Sequence, residues 1–191
     1  MKRNVIIALA AVIFIAAAIV TQIVSSERSS AGRQANDGDA DSGLPLQVAV
    51  AKTGYPAPEF TLKTLDDQEY RFVRSDMDKP VLLNFWASWC GPCASEAPAL
   101  KDLHERYGDR VEFLAINVTG AEFFGIDKVT EFVEKYEWQM PVLLDEKGEV
   151  SQEYKVYAFP ITVLIDRNGV VNHVIHGEFD PEDLEKRLAK L

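Results

Sequence analysis

Apolar residues fall along this chain in two different registers. Near the start, NVIIALAAVIFIAAAIVTQIV (4–24) is almost unbroken and about as long as the roughly 20 residues a helix needs to cross a bilayer. Residues 25–52 then turn to Ser, Gly, Asp, Gln and Ala, with too little apolar surface to offset the entropy of ordering, so they are expected to be a flexible tether. From residue 53 the pattern becomes that of a folded domain. VLLNFWAS (81–88) and VEFLAINV (111–118) have the length and composition of buried strands, while CASEAPALKDLHERY (93–107) and KVTEFVEKYEW (128–138) have helical spacing. Strand, helix, strand, helix predicts a parallel central pair with right-handed crossovers.

PVLLDEKG (141–148) predicts a short strand and a turn, and EVSQEYKV (149–156) a short helix. ITVLIDRNGVVNHVIHG (161–177) predicts an antiparallel hairpin with Asn168-Gly169 as a two-residue turn. DPEDLEKRLAKL (180–191) reads as an amphipathic helix, capped by Asp180 with Pro181 in its first position. Upstream, APEFTLKTLDDQEYRFV (57–73) reads as an added hairpin turning at Asp66-Asp67.

Composition sharpens this organisation. With 191 residues the chain is long enough for one well-packed domain plus extras, and a monomer is expected. Lys2 and Arg3 before the apolar run favour an uncleaved signal-anchor helix over 1–24, with the basic end held in the cytoplasm. The alternative is a cleaved secretory signal, but the run is longer than such a core and TQIVSS is a poor cleavage site. No cysteine lies near the run, which excludes a lipid anchor. Either reading exports the rest, placing the domain of residues 53–191 on the extracytoplasmic side of the cell membrane. The net charge is −10, and the acidic excess lies in residues 53–191. Nucleic acid is therefore excluded as an expected partner, since phosphate binding needs a basic face.

Both cysteines stand in WASWCGPCASEAP (86–98). Where a strand ends and a helix begins inside a β-α-β unit, C-x-x-C points to a thioredoxin-like redox motif. Cys90 would sit at the helix N-terminus, where unpaired amides and the macrodipole stabilise a thiolate, making it the attacking sulfur. Cys93, one turn in, would resolve the mixed disulfide. Half a zinc site or an inert structural disulfide remain as alternatives, although the zinc reading lacks a second cysteine pair or a close-spaced histidine pair. Positions 93, 96, 100, 103 and 107 form the core-facing stripe of that helix, and Glu96 is its only charged member. It is either a solvated first-turn acid or a half-buried acid beside Cys93. Trp89 reads as a flat contact surface around Cys90, and Trp86 as core. His104, His173 and His176 are scattered, and Phe123 and Phe124 read as lid packing. None of these five is assigned a role.

FWASWCGPC (85–93) resembles the thioredoxin active site, and Phe159-Pro160 before a strand resembles that family's cis-proline loop. With the apolar anchor, the PEFTL hairpin, the longer central segment and Glu96, the chain resembles the membrane-anchored thiol-disulfide oxidoreductases of the ResA and TlpA type. The resemblance implies an α/β, thioredoxin-like fold: a central mixed sheet flanked by helices, with an added N-terminal β-hairpin and a central insertion. It implies Cys90, Cys93 and Glu96 as the catalytic set, with Glu96 taking over from a strand position that here holds Asn84. Burial would raise the Glu96 pKa so that it exchanges a proton with Cys93. From sequence alone Pro160 would be trans; the resemblance implies cis, with Phe159 and Pro160 beside the disulfide to meet an extended substrate. Phe159 before the proline and Ile161 after it depart from the usual pattern.

The implied activity is reduction of protein disulfides through the Cys90-Cys93 pair, with no further cofactor and no metal. Apocytochrome c is the implied substrate and a membrane thiol-disulfide carrier the implied donor. A disulfide oxidase or isomerase using the same site is one alternative, and a copper metallochaperone another. A peroxiredoxin is disfavoured, because its P-x-x-x-T/S-x-x-C pattern would need Pro and Thr or Ser where Leu83 and Ala87 stand. Gly91 and Pro92 add no charge or side-chain donor to the Cys90 thiolate, so the dithiol is expected to be reducing.

Overall fold

A computed structural model describes residues 51–191. The anchor expected over 1–24, and all but the last two residues of the tether expected over 25–52, lie outside the described residues. No helix among those described is long and apolar enough to cross a membrane.

Seven strands form one mixed sheet in the order β2-β1-β5-β4-β3-β6-β7. They are β1 Phe60–Thr64, β2 Glu69–Phe72, β3 Val81–Trp86, β4 Glu112–Asn117, β5 Val142–Leu144, β6 Ile161–Ile165 and β7 Val171–His176. The helices are α1 Gly91–Tyr107, α2 Ile126–Lys135, α3 Glu149–Glu153 and α4 Pro181–Leu188. β3 pairs in parallel with β4, as expected of β-α-β, and antiparallel with β6, so it is hydrogen-bonded on both sides. Strands covered on both faces read as continuous apolar runs. Every residue of β3 is buried. Leu82 and Trp86 pack towards α1, α2 and α4, while Val81, Leu83 and Phe85 pack towards Phe60, Phe72 and Tyr154 on the other face. Alternation therefore puts Asn84 on the α1 face.

The N-terminal hairpin joins the sheet through β1, which pairs antiparallel with β5. Its turn uses Asp67 at φ 61°, and the Thr64 amide donates to the Gln68 carbonyl at 2.7 Å. The central insertion is β5 with α3: β5 extends the sheet beyond β4 in parallel, and the buried Asp145 accepts the Ser151 amide at the start of α3 at 2.8 Å. The β6-β7 connection differs from its predicted form. Asp166 N–H donates to the Val170 carbonyl, and its carboxylate accepts the Asn168 and Val170 amides. The loop is therefore three residues, 167–169, with Gly169 at φ 73°. The carboxylate rewards the longer loop with bonds that a two-residue turn would not make. At the same end of the sheet, Gly54 N–H donates to the Val171 carbonyl and Val171 N–H to the Tyr55 carbonyl, at 2.8 and 2.9 Å.

α1 buries the predicted stripe of Cys93, Glu96, Leu100, Leu103 and Tyr107. It carries Pro98 in its interior, which leaves the Ala94 carbonyl without its helical donor. α2 starts two residues earlier than expected and ends three earlier, closed by Glu137 at φ 52°.

Candidate active site

β3 ends at Trp86, at the C-terminal end of a central strand, and Ala87, Ser88 and Trp89 turn the chain into α1. Cys90 is the N-cap residue, and its Sγ accepts the Cys93 amide at 3.1 Å. Pro92 has no amide to offer, so the cap contact falls one residue further on. Cys90 and Cys93 are joined in a disulfide, with Cα atoms 5.2 Å apart. Cys90 retains 5% of its surface and Cys93 1%, so Cys90 is the less buried of the pair.

Behind the disulfide stands Glu96, 3% exposed. One carboxylate oxygen accepts Asn84 Nδ2 at 2.8 Å and the other the Phe179 amide at 3.1 Å. The same Asn84 Nδ2 donates to Thr162 Oγ1 at 3.0 Å. Burial pushes the Glu96 pKa up, the bonds from Asn84 and Phe179 pull it down, and nearby Glu178 adds a small upward push; the result is about 7. This is the buried acid of the two sequence alternatives, not the solvated one.

The Phe159-Pro160 bond is cis. Phe159 packs against the cluster that contains both cysteines, its ring 5.9 Å from that of Trp89. Among the described residues the main-chain groups of Tyr157, Ala158 and Phe159 have no backbone partner. The Pro160 carbonyl accepts the Gly177 amide at 2.9 Å. Trp89 is 41% exposed, whereas Trp86 is buried against Phe132 and Trp138. His104 packs on Phe113, and His173 and His176 lie on β7.

Two features were not anticipated. Phe123 and Phe124 are 73% and 69% exposed and so are not lid packing. Glu122 beside them accepts the Ser88 amide at 2.7 Å, the Ser88 hydroxyl at 2.5 Å and Asn117 Nδ2 at 2.7 Å, while the neighbouring Ala121 carbonyl accepts Trp89 Nε1 at 2.9 Å. The turn after β4 thus holds the loop that carries Cys90. Asn117, polar and fully buried at the end of an apolar strand, was the one available signal of such a partner.

A helix-capped pair of thiols that can close into a disulfide exchanges disulfides, and on this sheet it defines a thioredoxin-fold thiol-disulfide oxidoreductase. The chain belongs to the AhpC/TSA family, which it matches over residues 53–174. Leu83 and Ala87, the positions that depart from the peroxiredoxin pattern, are both fully buried. The chain is 36% identical over 135 residues to the thioredoxin-like protein YneN of Bacillus subtilis (strain 168), covering 71% of this chain and 78% of that protein. It is 38% identical over 146 residues to the thiol-disulfide oxidoreductase ResA of Geobacillus kaustophilus (strain HTA426), covering 76% and 80%. Among solved structures, a putative thiol:disulfide interchange protein DsbE from Chlorobium tepidum superposes with a TM-score of 0.65 at 28% identity, over 73% of this chain and 96% of that one. The protein is a thiol-disulfide oxidoreductase of the ResA type.

Proposed function

We propose that the protein reduces disulfides of extracytoplasmic proteins, with apocytochrome c as the substrate class. The Cys90 thiolate attacks one sulfur of the substrate disulfide and the other sulfur leaves as a thiolate. Cys93 gives its proton to ionised Glu96 and attacks Cys90 Sγ, which expels the second substrate thiolate. Both substrate thiolates take up protons, and the two electrons they gain come from the Cys90-Cys93 dithiol, which becomes the disulfide. A membrane thiol-disulfide carrier returns the electrons, and protonated Glu96 then supplies the proton to Cys93. The pair carries the electrons itself, with no cofactor or metal. The observation that carries this reading is Glu96: a buried acid titrating at about 7, one helical turn from the buried cysteine. The domain works outside the cytoplasm, held by the apolar segment at 1–24.

Three measurements on the full-length protein test it. Redox titration is expected to give a midpoint nearer the thioredoxin value of about −270 mV than the DsbA value of about −120 mV; a midpoint near the latter overturns the reductase in favour of an oxidase. Cys93→Ala is expected to strand Cys90 in mixed disulfides with exported proteins. Recovery of the mature protein as a soluble form beginning near Ser25 would overturn the anchor.

A further inference from the structure

The Glu122 turn presents two large apolar side chains to solvent beside the redox centre. Monomeric surfaces seldom expose contiguous aromatic area without a use for it, and aromatic residues are enriched among those that dominate binding. Phe123 lies 4.9 Å from Trp89, ring centre to ring centre, and Phe124 lies 6.5 Å from Phe123. Trp89 in turn meets Phe159 at 5.9 Å. An aromatic strip therefore runs from Phe124 through Phe123 and Trp89 to the residue before the cis-proline, and Trp89 within it directly precedes Cys90, the less buried of the two cysteines. Next to it an open hollow of about 340 Å³ lies between Trp89, Phe124 and the face of α2 carrying Lys128 and Phe132. The Glu122 bonds to Ser88 and Asn117 hold the turn that carries Phe123 and Phe124 against the Cys90 loop, so less ordering of that backbone is required when a partner docks.

We propose that Phe123 and Phe124 form a docking shelf that selects disulfides embedded in apolar polypeptide, receiving the bulky apolar residues that flank the partner's cysteine. The occupant is the stretch of partner chain that flanks the attacked sulfur. The shelf contributes no group to the Cys90-Cys93 couple, so it acts on substrate binding and leaves that couple alone. This rests on the reading of the protein as a reductase of protein disulfides.

The test uses reduced full-length protein, wild type and the double variant Phe123→Ser/Phe124→Ser, in single-turnover reduction. Three probes are compared: a peptide with one internal disulfide flanked by Phe, Leu and Val, the same peptide with Ser at those positions, and 2-hydroxyethyl disulfide. Wild type is expected to reduce the apolar peptide about tenfold faster than the serine peptide at sub-saturating concentration, about 1.4 kcal/mol of selective binding. In the double variant that ratio is expected to fall to about one, with 2-hydroxyethyl disulfide reduced at the wild-type rate, which also shows the variant to be folded. A ratio near one in wild type, a ratio that survives in the variant, or an equal fall on all three probes overturns the shelf. If wild type reduces 2-hydroxyethyl disulfide but neither peptide, the protein-disulfide reading fails and the shelf falls with it.

Discussion

Two glutamates flank the redox centre, and they are held in opposite ways. Glu96 is sealed in the core with one donor on each oxygen, and both donors are neutral: an amide side chain and a backbone N–H. Nothing there balances a full negative charge, so desolvation dominates and the group titrates at about 7. Glu122 is half-exposed and accepts three hydrogen bonds, two of them from the residue just before Trp89. One carboxylate is left poised to change its charge, while the other is spent on fixing a loop. What separates them is the ratio of donors to burial, not the residue type.

The sharpest way to break this contrast is Glu96→Gln. If Glu96 carries the Cys93 proton, resolution of the mixed disulfide is expected to slow by about 100-fold at neutral pH, and the rise of its rate through pH 7 is expected to vanish. Stopped-flow decay of a preformed mixed disulfide across pH 5–9 reads both; an unchanged pH profile would return Glu96 to a structural part.

The same substitution has a stability signature. In wild type the Glu96 pKa is raised from 4.5 to about 7, so between those values the folded state holds a proton that the unfolded state has released. Stability is therefore lost as pH rises from about 4.5 to 7 and is level above that, by on the order of 2 to 3 kcal/mol. Denaturant unfolding of the oxidised protein at pH 4.5 and 7.5 is expected to show this loss in wild type and not in the glutamine variant.

Glu122 makes a different prediction. Glu122→Ala leaves the buried Asn117 amide without its acceptor, at a cost of about 2 kcal/mol. Glu122→Gln is expected to recover most of that, because its oxygen can serve the Ser88 amide and Asn117 while its amide donates to the Ser88 hydroxyl. Thermal unfolding of both variants, with disulfide-exchange rates, separates clamp from charge: a loss equal in Ala and Gln would mean that the charge matters after all. The smallest effect is expected from Asn84→Ala. Removing a donor that pulls the Glu96 pKa down moves the kinetic inflection upward from about 7, and a downward move would contradict the assigned balance.

The difference between the two glutamates also explains what the sequence could reveal. Glu96 was legible because it breaks a local rule, a charge on the apolar stripe of a helix that is visible within fifteen residues. The β3-α1-β4 unit and both hairpins were legible for the same reason, since period and turn residues are local. Glu122 broke no rule. Its donors lie 34 residues back at Ser88 and at the end of the preceding strand, and a polar residue in a loop looks ordinary until the loop is folded back. The pairing of β1 with β5, some 80 residues apart in the chain, was hidden likewise, as was the length of the β6-β7 loop, decided by the Asp166 carboxylate.

The bonds from Gly54 and Tyr55 to Val171 fix a direction as well as a position. Val171 pairs with Ile165, which lies opposite Val81, the first residue of β3, whereas the disulfide follows the last. The polypeptide thus enters the domain at one pole and performs its chemistry at the other, about 20 Å away along six residues of strand.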